Sequence, residues 1–580
     1  MSRHHSTAEI LSEPLLIITL TSVTTVALMV SNSTTTKTAS NGEAAAEERC
    51  SVEEVALVVP ETDDPTLPVM TFRAWVLGLA SCTVLIFLNT FFIYRTQPLS
   101  ISAILMQIAV LPIGKFMAAT LPEKEYTVFG RWRFSLNPGP FNVKEHVIIT
   151  VMANCGVSTG GGDAYSIGAI TVMKAYYKQS LNFLCALLIV LTTQIVGYGW
   201  AGMLRKYLVD PVEMWWPSNL AQVSLFRALH ERELKSSGMT RMRFFLICMT
   251  ASFVYYLFPG YLFQILTFFS WVCWVWPHSI TAQQIGSGYH GLGVGAFTLD
   301  WAEKLKSIIE LDNLLDFCVD SDIWKQSRSA VKNMKLDIHA KLMKTYKQVP
   351  QWWYLVLLVG SIALSLLMSF VWKEDVQLPW WGMLFAFALA WIVTLPIGVI
   401  QATTNQQPGY DIIAQFIIGY ILPGKPIANL LFKIYGRIST IHALSFLADL
   451  KLGHYMKIPP RCMFTAQLVG TLVSGTVNLG VAWWMLGSID NICDVEALHP
   501  ESPWTCPKFR VTFDASVIWG LIGPERLFGP GGIFHGCSAV FALQNEGKNV
   551  KWWGSQPDHC PLATCPTAPG IVVEGCPVFR

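Results

Sequence analysis

The chain has 580 residues, of which 52% are hydrophobic and only 14% charged, and it carries 22 Trp. A soluble domain has about 25% charged residues, so this chain, with a mean hydropathy of +0.42, cannot present a polar surface to water everywhere. A net charge of +2 supplies no whole-chain field for a nucleic-acid partner, and a polytopic membrane protein is the class that remains.

Behind Arg3, His4 and His5 comes Leu15–Val30, sixteen residues of which five are Thr or Ser. That is short of the about 20 mostly apolar residues of a spanning helix and resembles the apolar region of a signal peptide. Residues 31–66 hold eight acids against Lys37 and Arg49, without an aromatic; residues 1–71 therefore read as a disordered acidic tail. Spans are predicted at 74–94, 98–119, 180–203, 243–260, 262–282, 352–372, 381–401, 412–432 and 464–487. Each has about the length of the hydrocarbon core, and Trp352-Trp353, Trp380-Trp381 and Trp483-Trp484 mark interfacial ends. Lipid offers the backbone no partner, so these segments are helices, and the alternation of barrel strands is absent. The fold class is all-α: a polytopic integral membrane helical bundle with discontinuous helices.

On this reading 72–300 is a first membrane region, 301–350 a polar and largely basic loop, 351–530 a second membrane region and 531–580 a Cys-rich tail. Residues 323–350 have seven Lys or Arg against the single acid Asp337, which places the loop in the cytosol. Lys451–Arg461 is a second cytosolic point, with Lys451 and Lys457 snorkelling to the interface. Two stretches fit no whole span. Residues 291–320 pass from apolar to acidic without a capped helix, and "GPGGIFHGCSAVFAL" (529–543) leaves eleven residues between Gly532 and Gln544, too few to cross. Of the 14 Cys, Cys493 and Cys506 fit a non-cytosolic disulfide and free loop thiols equally well. No CxxC spacing or zinc-finger His accompanies the late Cys, so no metal site is expected.

The stretch "NPGPFNVKEHVIITVMANCG" (137–156) carries three ionisable residues at the mouth of an apolar run. Asn142 and Glu145 have the form of a capping box, after a Pro-Gly-Pro turn that cannot be helical. From that start His146, Thr150 and Asn154 recur every fourth residue as a polar stripe. "GVSTGGGDAYSIG" (156–168) then breaks the run, and apolar character resumes at Ala169. A half-segment, a glycine break and a second half-segment describe a discontinuous helix of the kind that builds transport sites. An ordinary capped helix and loop, with Lys144 and His146 at the headgroups, is the alternative. "GVSTG" also has the G-x-S-x-G form of a hydrolase nucleophile, but that chemistry needs a strand before Ser158 and a helical run precedes it. The second informative stretch is 404–461. There Asn405, Gln406, Gln407 and Asp411 lead a helix interrupted at "PGKP", and Asp449, Lys451, His454 and Lys457 follow the next one. Ionisable groups near membrane depth are costly and mark function.

"NPGPFNVKEHVIITVMANCG" and "KIYGRISTIHALSFLADLKLGHYMKIPPR", extended by "VPETDDPTLPVMTFRAW", "TNQQPGYDIIAQFIIGY" and "ALQNEGKNVKWWG", resemble the oligopeptide transporter (OPT) family, on its plant peptide-transporter side. The resemblance covers most of 52–300 and 321–530 and about the last forty residues. It implies a proton-coupled importer of small peptides, or in some members of glutathione or metal–chelate complexes, with more helices than the spans counted above. The first fifty residues depart from the family pattern. Near 301–320 and 532–541, family-like segments are joined where membrane-spanning material would lie between them.

The expected function is proton-coupled transport of small oligopeptides by a multi-pass protein of the plasma membrane, not an enzyme. The partners are peptide, protons and the lipid bilayer, without nucleic acid and without a cofactor. Glu145, His146 and Asp411 are the proton-coupling candidates, because His titrates near physiological pH and membrane carboxylates are functional. Asn154, Asn405, Gln406 and Tyr410 are candidates for the peptide backbone and Lys144 for its carboxylate. Transport of an iron or other metal–chelate complex or of glutathione, and a truncated fragment that does not transport, are the alternatives.

Overall fold

The structure is a computed structural model that describes residues 52–528, apart from 97–98, 129–131, 156–164, 231–240, 495–496, 500–501 and most of 258–337. Within 258–337 the described residues are 269–271, 275–276 and 296–297. The stretch Leu15–Val30, both junctions, most of the span at 262–282, Ser158 and the last Cys residues lie outside them.

Among the described residues six helices are long and apolar enough to cross a membrane. After a short α1 (Glu53–Val58) come α2 (Phe72–Ile93), α3 (Ala103–Thr120), α4 (Val143–Asn154), α5 (Tyr165–Thr171), α6 (Phe183–Leu208), α7 (Pro217–His230) and α8 (Arg241–Leu257). The second half contains α9 (Ile338–Met343), α10 (Gln351–Val371), α11 (Trp380–Thr404), α12 (Asp411–Ile421), α13 (Pro426–Lys433), α14 (Ser439–Tyr455), α15 (Pro460–Ser488) and α16 (Pro507–Ser516). The six long ones are α2, α3, α6, α10, α11 and α15. Strands among the described residues are limited to an antiparallel pair, Glu125–Val128 with Trp132–Ser135, and a two-residue pairing of Phe269–Ser270 with Ala296–Phe297. A helical membrane bundle is the fold.

Local chemistry sets the ends of these helices. Thr71 accepts from Ala74 N at 3.1 Å to start α2, and Asn182 accepts from Leu184 N at 2.8 Å to start α6, each satisfying an otherwise orphan donor. Pro426 and Pro460 open α13 and α15, where a missing N–H is harmless. α6 lies at the centre, packed by α10, α14 and α15, while α2 packs on α4 and α15. Phe116, Phe370 and Ile392 project outward from α3, α10 and α11, side chains that suit lipid rather than water.

Two expectations need correction. The predicted span 412–432 is two helices, α12 and α13, separated at 422–425, because "LPGKP" puts Pro426 where it cannot continue a helix. From Pro426, α13, a π-helical turn Ile434–Ile438 and α14 run on to Tyr455. Those 30 residues extend about 45 Å, long enough to cross. Residues 52–71, assigned to the disordered tail, form a docked strap. Val55 and Val59 are buried, Arg227 Nη1 donates to Leu57 O and Val58 O at 3.3 and 2.9 Å, and Lys457 Nζ donates to Pro60 O. Farther along the strap, hydrogen bonds from the Thr66 hydroxyl and N–H hold the exposed Asp64 carboxyl below its usual range.

Candidate functional site

The α4 helix begins as its sequence requires. Asn142 accepts from Glu145 N at 2.9 Å, and the Glu145 carboxylate reaches back to Asn142 N at 3.2 Å. That carboxylate is also held by Arg73 Nη2 at 3.0 and 3.1 Å, and neither side chain has exposed surface. Arg73 Nη1 donates to Asn137 Oδ1 at 2.9 Å and to Gly139 O at 2.8 Å, so one guanidinium fixes the Pro-Gly-Pro turn and the helix start together. Glu145 is thus an anchored cap residue. In the sequence Arg73 is a lone cation at the head of "TFRAWVLGLA", and no spacing connects it with Glu145, 72 residues away.

Lys144 is also engaged. Its Nζ lies 2.8 Å from Asp63 Oδ1, 2.8 Å from Asp64 O and 3.0 Å from the Tyr346 hydroxyl, which itself donates to Asp63 Oδ2 at 2.6 Å. The sequence assigned Lys144 a carboxylate; the carboxylate it holds is one of this chain's own.

His146 is fully buried and meets a second imidazole. Its Nε2 is 2.7 Å from Gln107 O, and a carbonyl only accepts, so Nε2 carries the hydrogen in the neutral ring and Nδ1 presents a lone pair. His230 Nε2, 2.8 Å from that Nδ1, therefore donates. The rings of Phe141 and Phe226 flank the pair. His230 is the last residue of α7, and no spacing in the sequence connects it with His146. Farther along the stripe the Thr150 hydroxyl donates to His146 O at 3.0 Å. At the end of α4, Asn154 Nδ2 donates to Asp449 Oδ1 at 2.7 Å. The helix stops there, and the chain is helical again from Tyr165.

The second set of candidates stands apart. Asn405 closes α11 in the left-handed conformation, φ 62°, a position that Asn tolerates. It is exposed, with Gln406 half-buried beside it. The Tyr410 hydroxyl donates to Gly436 O at 3.0 Å, in the π-helical turn, and meets Thr440 Oγ1 at 2.8 Å. Asp411 is held by Arg437 Nε at 3.3 Å and Lys433 Nζ at 3.8 Å. None of these four shares a hydrogen bond or ion pair with Lys144, Glu145, His146 or Asn154. Lys451 and Lys457 are buried, not snorkelled: Lys451 Nζ donates to Val209 O at 2.7 Å and Pro211 O at 3.0 Å, and Lys457 Nζ to Tyr455 O at 2.9 Å. The Val209 and Pro211 carbonyls follow α6 and the Tyr455 carbonyl ends α14, and all must find donors, a demand that the spacing of the lysines does not display. Among the described residues no three His, Cys, Asp or Glu are grouped to hold a metal ion.

A lipid-suited helical bundle with a short, buried, polar-striped helix packed between α2, α3 and α15 defines a membrane transporter rather than an enzyme. The family of OPT oligopeptide transporter proteins matches residues 69–308 and 318–570, and the chain belongs to it. Oligopeptide transporter 3 of Arabidopsis thaliana is 58% identical over 92% of this chain and 98% of its own length. Oligopeptide transporters 7 and 2 of the same plant are each 41% identical over 91% of this chain, and over 93% and 97% of their own lengths. These alignments run over 716 to 720 positions against 580 residues here, so the relatives carry internal stretches that this chain lacks. The break in the family match at 309–317 falls on the first junction noted above.

Proposed function

We propose that the chain is a secondary transporter of the plasma membrane that moves small oligopeptides together with protons. One observation carries the reading. α4 has 12 residues, about 18 Å of helix against a hydrocarbon core of about 30 Å, yet Lys144–Ala153 are all buried. A buried helix that stops short within protein leaves its terminal groups for a ligand, and transporters of several folds use such breaks as substrate sites. Asn154 at that end is suited to hydrogen-bond a peptide backbone. Asn405 and Gln406, with amides not locked into ion pairs, remain peptide contacts at a second point. A substrate carboxylate approaching Lys144 competes with Asp63.

Of the three proton candidates, Glu145 and Asp411 already hold cations. His146 and His230 together hold one proton more than two neutral rings when a proton from water is added at His230 Nδ1, the ring nitrogen outside the hydrogen bond that joins them, and Lys115 is the cation that faces them. The purified chain in proteoliposomes is expected to accumulate small peptides under an inward acid gradient, and His230→Ala to weaken that dependence while leaving exchange without a gradient. Accumulation of a metal–chelate complex or glutathione in place of peptide would reassign the cargo.

A second reading has its own observation, the internal stretches missing relative to the 716 to 720 aligned positions. On that reading the chain does not transport alone. Absence of both exchange and accumulation from a monodisperse 580-residue preparation would favour it.

A further inference from the structure

We infer that Asp449, on α14, takes up a transported proton and reports its state to the end of α4; this rests on the proton-coupled reading above. Asp449 is 8% exposed, and its carboxylate accepts from a neutral amide, Asn154 Nδ2, at 2.7 Å. The uncharged Gln467 side chain from α15 faces the same carboxyl. The buried or half-buried carboxylates described above are different: Glu145 holds Arg73, Asp63 holds Lys144, and Asp411 holds Arg437 and Lys433. Asp449 forms no ion pair among the described residues. Among the described residues, the other titratable group that faces it is the Cys155 thiol at the end of α4, which brings no positive charge. A buried carboxylate needs a counter-charge, and here a proton is the one that can arrive and leave.

A second observation marks the same place. Gln467 is fully buried, its Nε2 donates to Phe446 O at 3.3 Å, and its Oε1 has no hydrogen-bond partner. An orphan buried acceptor is costly. A protonated Asp449 offers the O–H that rotation of this amide could accept. The step is a proton transfer from the aqueous side onto a carboxylate oxygen and its later return to the other side, with no other bond made or broken. The carboxylate accepts from Asn154. The acid is a weaker acceptor and a donor, so Asn154, the last residue of the interrupted helix, is released to bind cargo only when the proton is aboard.

Asp449→Asn keeps the shape and cannot bind the proton. A gradient of one pH unit can drive about tenfold accumulation per coupled proton. In proteoliposomes of the full chain, the variant is expected to lose that accumulation while keeping peptide exchange in the absence of a gradient, and Asp449→Glu is expected to restore part of it. Full acid-driven accumulation by Asp449→Asn overturns the inference. So does loss confined to peptides with a free amino terminus, with acetylated peptides still accumulating, because Asp449 would then bind the ammonium group. An infrared titration of the purified protein separates this from failure of the transport reading. The carbonyl band of a buried protonated acid is expected in the parent chain and absent in Asp449→Asn whatever the cargo, and a band unchanged by the substitution overturns the inference.

Discussion

Arg73 and Glu145 are the clearest case of a functional-looking residue with a structural task. Both are fully buried and doubly hydrogen-bonded to each other, and Arg73 holds the turn before α4 as well. Removing one partner of such a pair strands the other charge, at about 3–5 kcal/mol. Arg73→Met is therefore expected to lower thermal stability and yield sharply, and the double variant with Glu145→Gln to recover part of the loss. A melting temperature in detergent for Arg73→Met equal to that of the parent chain would refute the assignment. The same logic separates His146 from its neighbours on α4. Lys144 and Glu145 are neutralised by Asp63 and Arg73, whereas His146 donates to a backbone carbonyl and is bound to another imidazole, a group that can itself take up and release a proton.

At the scale of elements, "VGYGWAG" within α6 shows how close packing is built. A methyl group at Gly202 would lie 2.0 Å from Tyr354 Cγ, one at Gly199 2.7 Å from Leu358 Cβ, and one at Gly197 2.6 Å from His442 Cβ. The glycines are helical and serve proximity rather than flexibility, letting α10 and α14 approach the central helix as small residues do in membranes. Gly202→Leu is expected to push α10 away and produce aggregated protein on size exclusion, whereas Gly360→Leu on α10, where nothing lies within 4 Å of the added carbon, is expected to stay monodisperse. Equal behaviour of the two would contradict this packing. The stop of α4 at Asn154 and the π-helical turn after α13 each lie beside a named candidate. Tyr410 closes over the second, while Asn154 stands at the first beside Asp449, which carries no cation.

Across the whole molecule, α2 separates two differently built ends. At its start lie the strap, Lys144, Lys457 and Tyr346. At its end Cys506 N donates to Tyr94 O at 3.1 Å and Thr96 N to Pro503 O at 2.7 Å, and Cys493 is joined to Cys506 in a disulfide. Twenty-two residues of helix put these ends about 33 Å apart, on opposite sides of a bilayer. The basic stretch 323–350 leads into the Tyr346 end, so we propose that this end faces the cytosol and that the disulfide faces the oxidising compartment. In intact cells a membrane-impermeant reductant followed by an impermeant maleimide is expected to label Cys493 and Cys506. Labelling that requires permeabilised membranes would reverse the orientation.

Composition fixed the membrane class, apolar run lengths located the long helices to within a few residues, and the Asn142/Glu145 cap was legible because capping is a contact between residues three apart. The polar stripe of α4 and its stop were visible for the same reason, being short-range periodicity. Pairings were not visible. Arg73 with Glu145 is 72 residues distant, Lys144 with Asp63 is 81, His146 with His230 is 84, and Asn154 with Asp449 is 295. Whether a buried charge is anchored or left for a proton depends on which group folds against it. Helix packing makes that choice, and neither spacing nor composition carries the information.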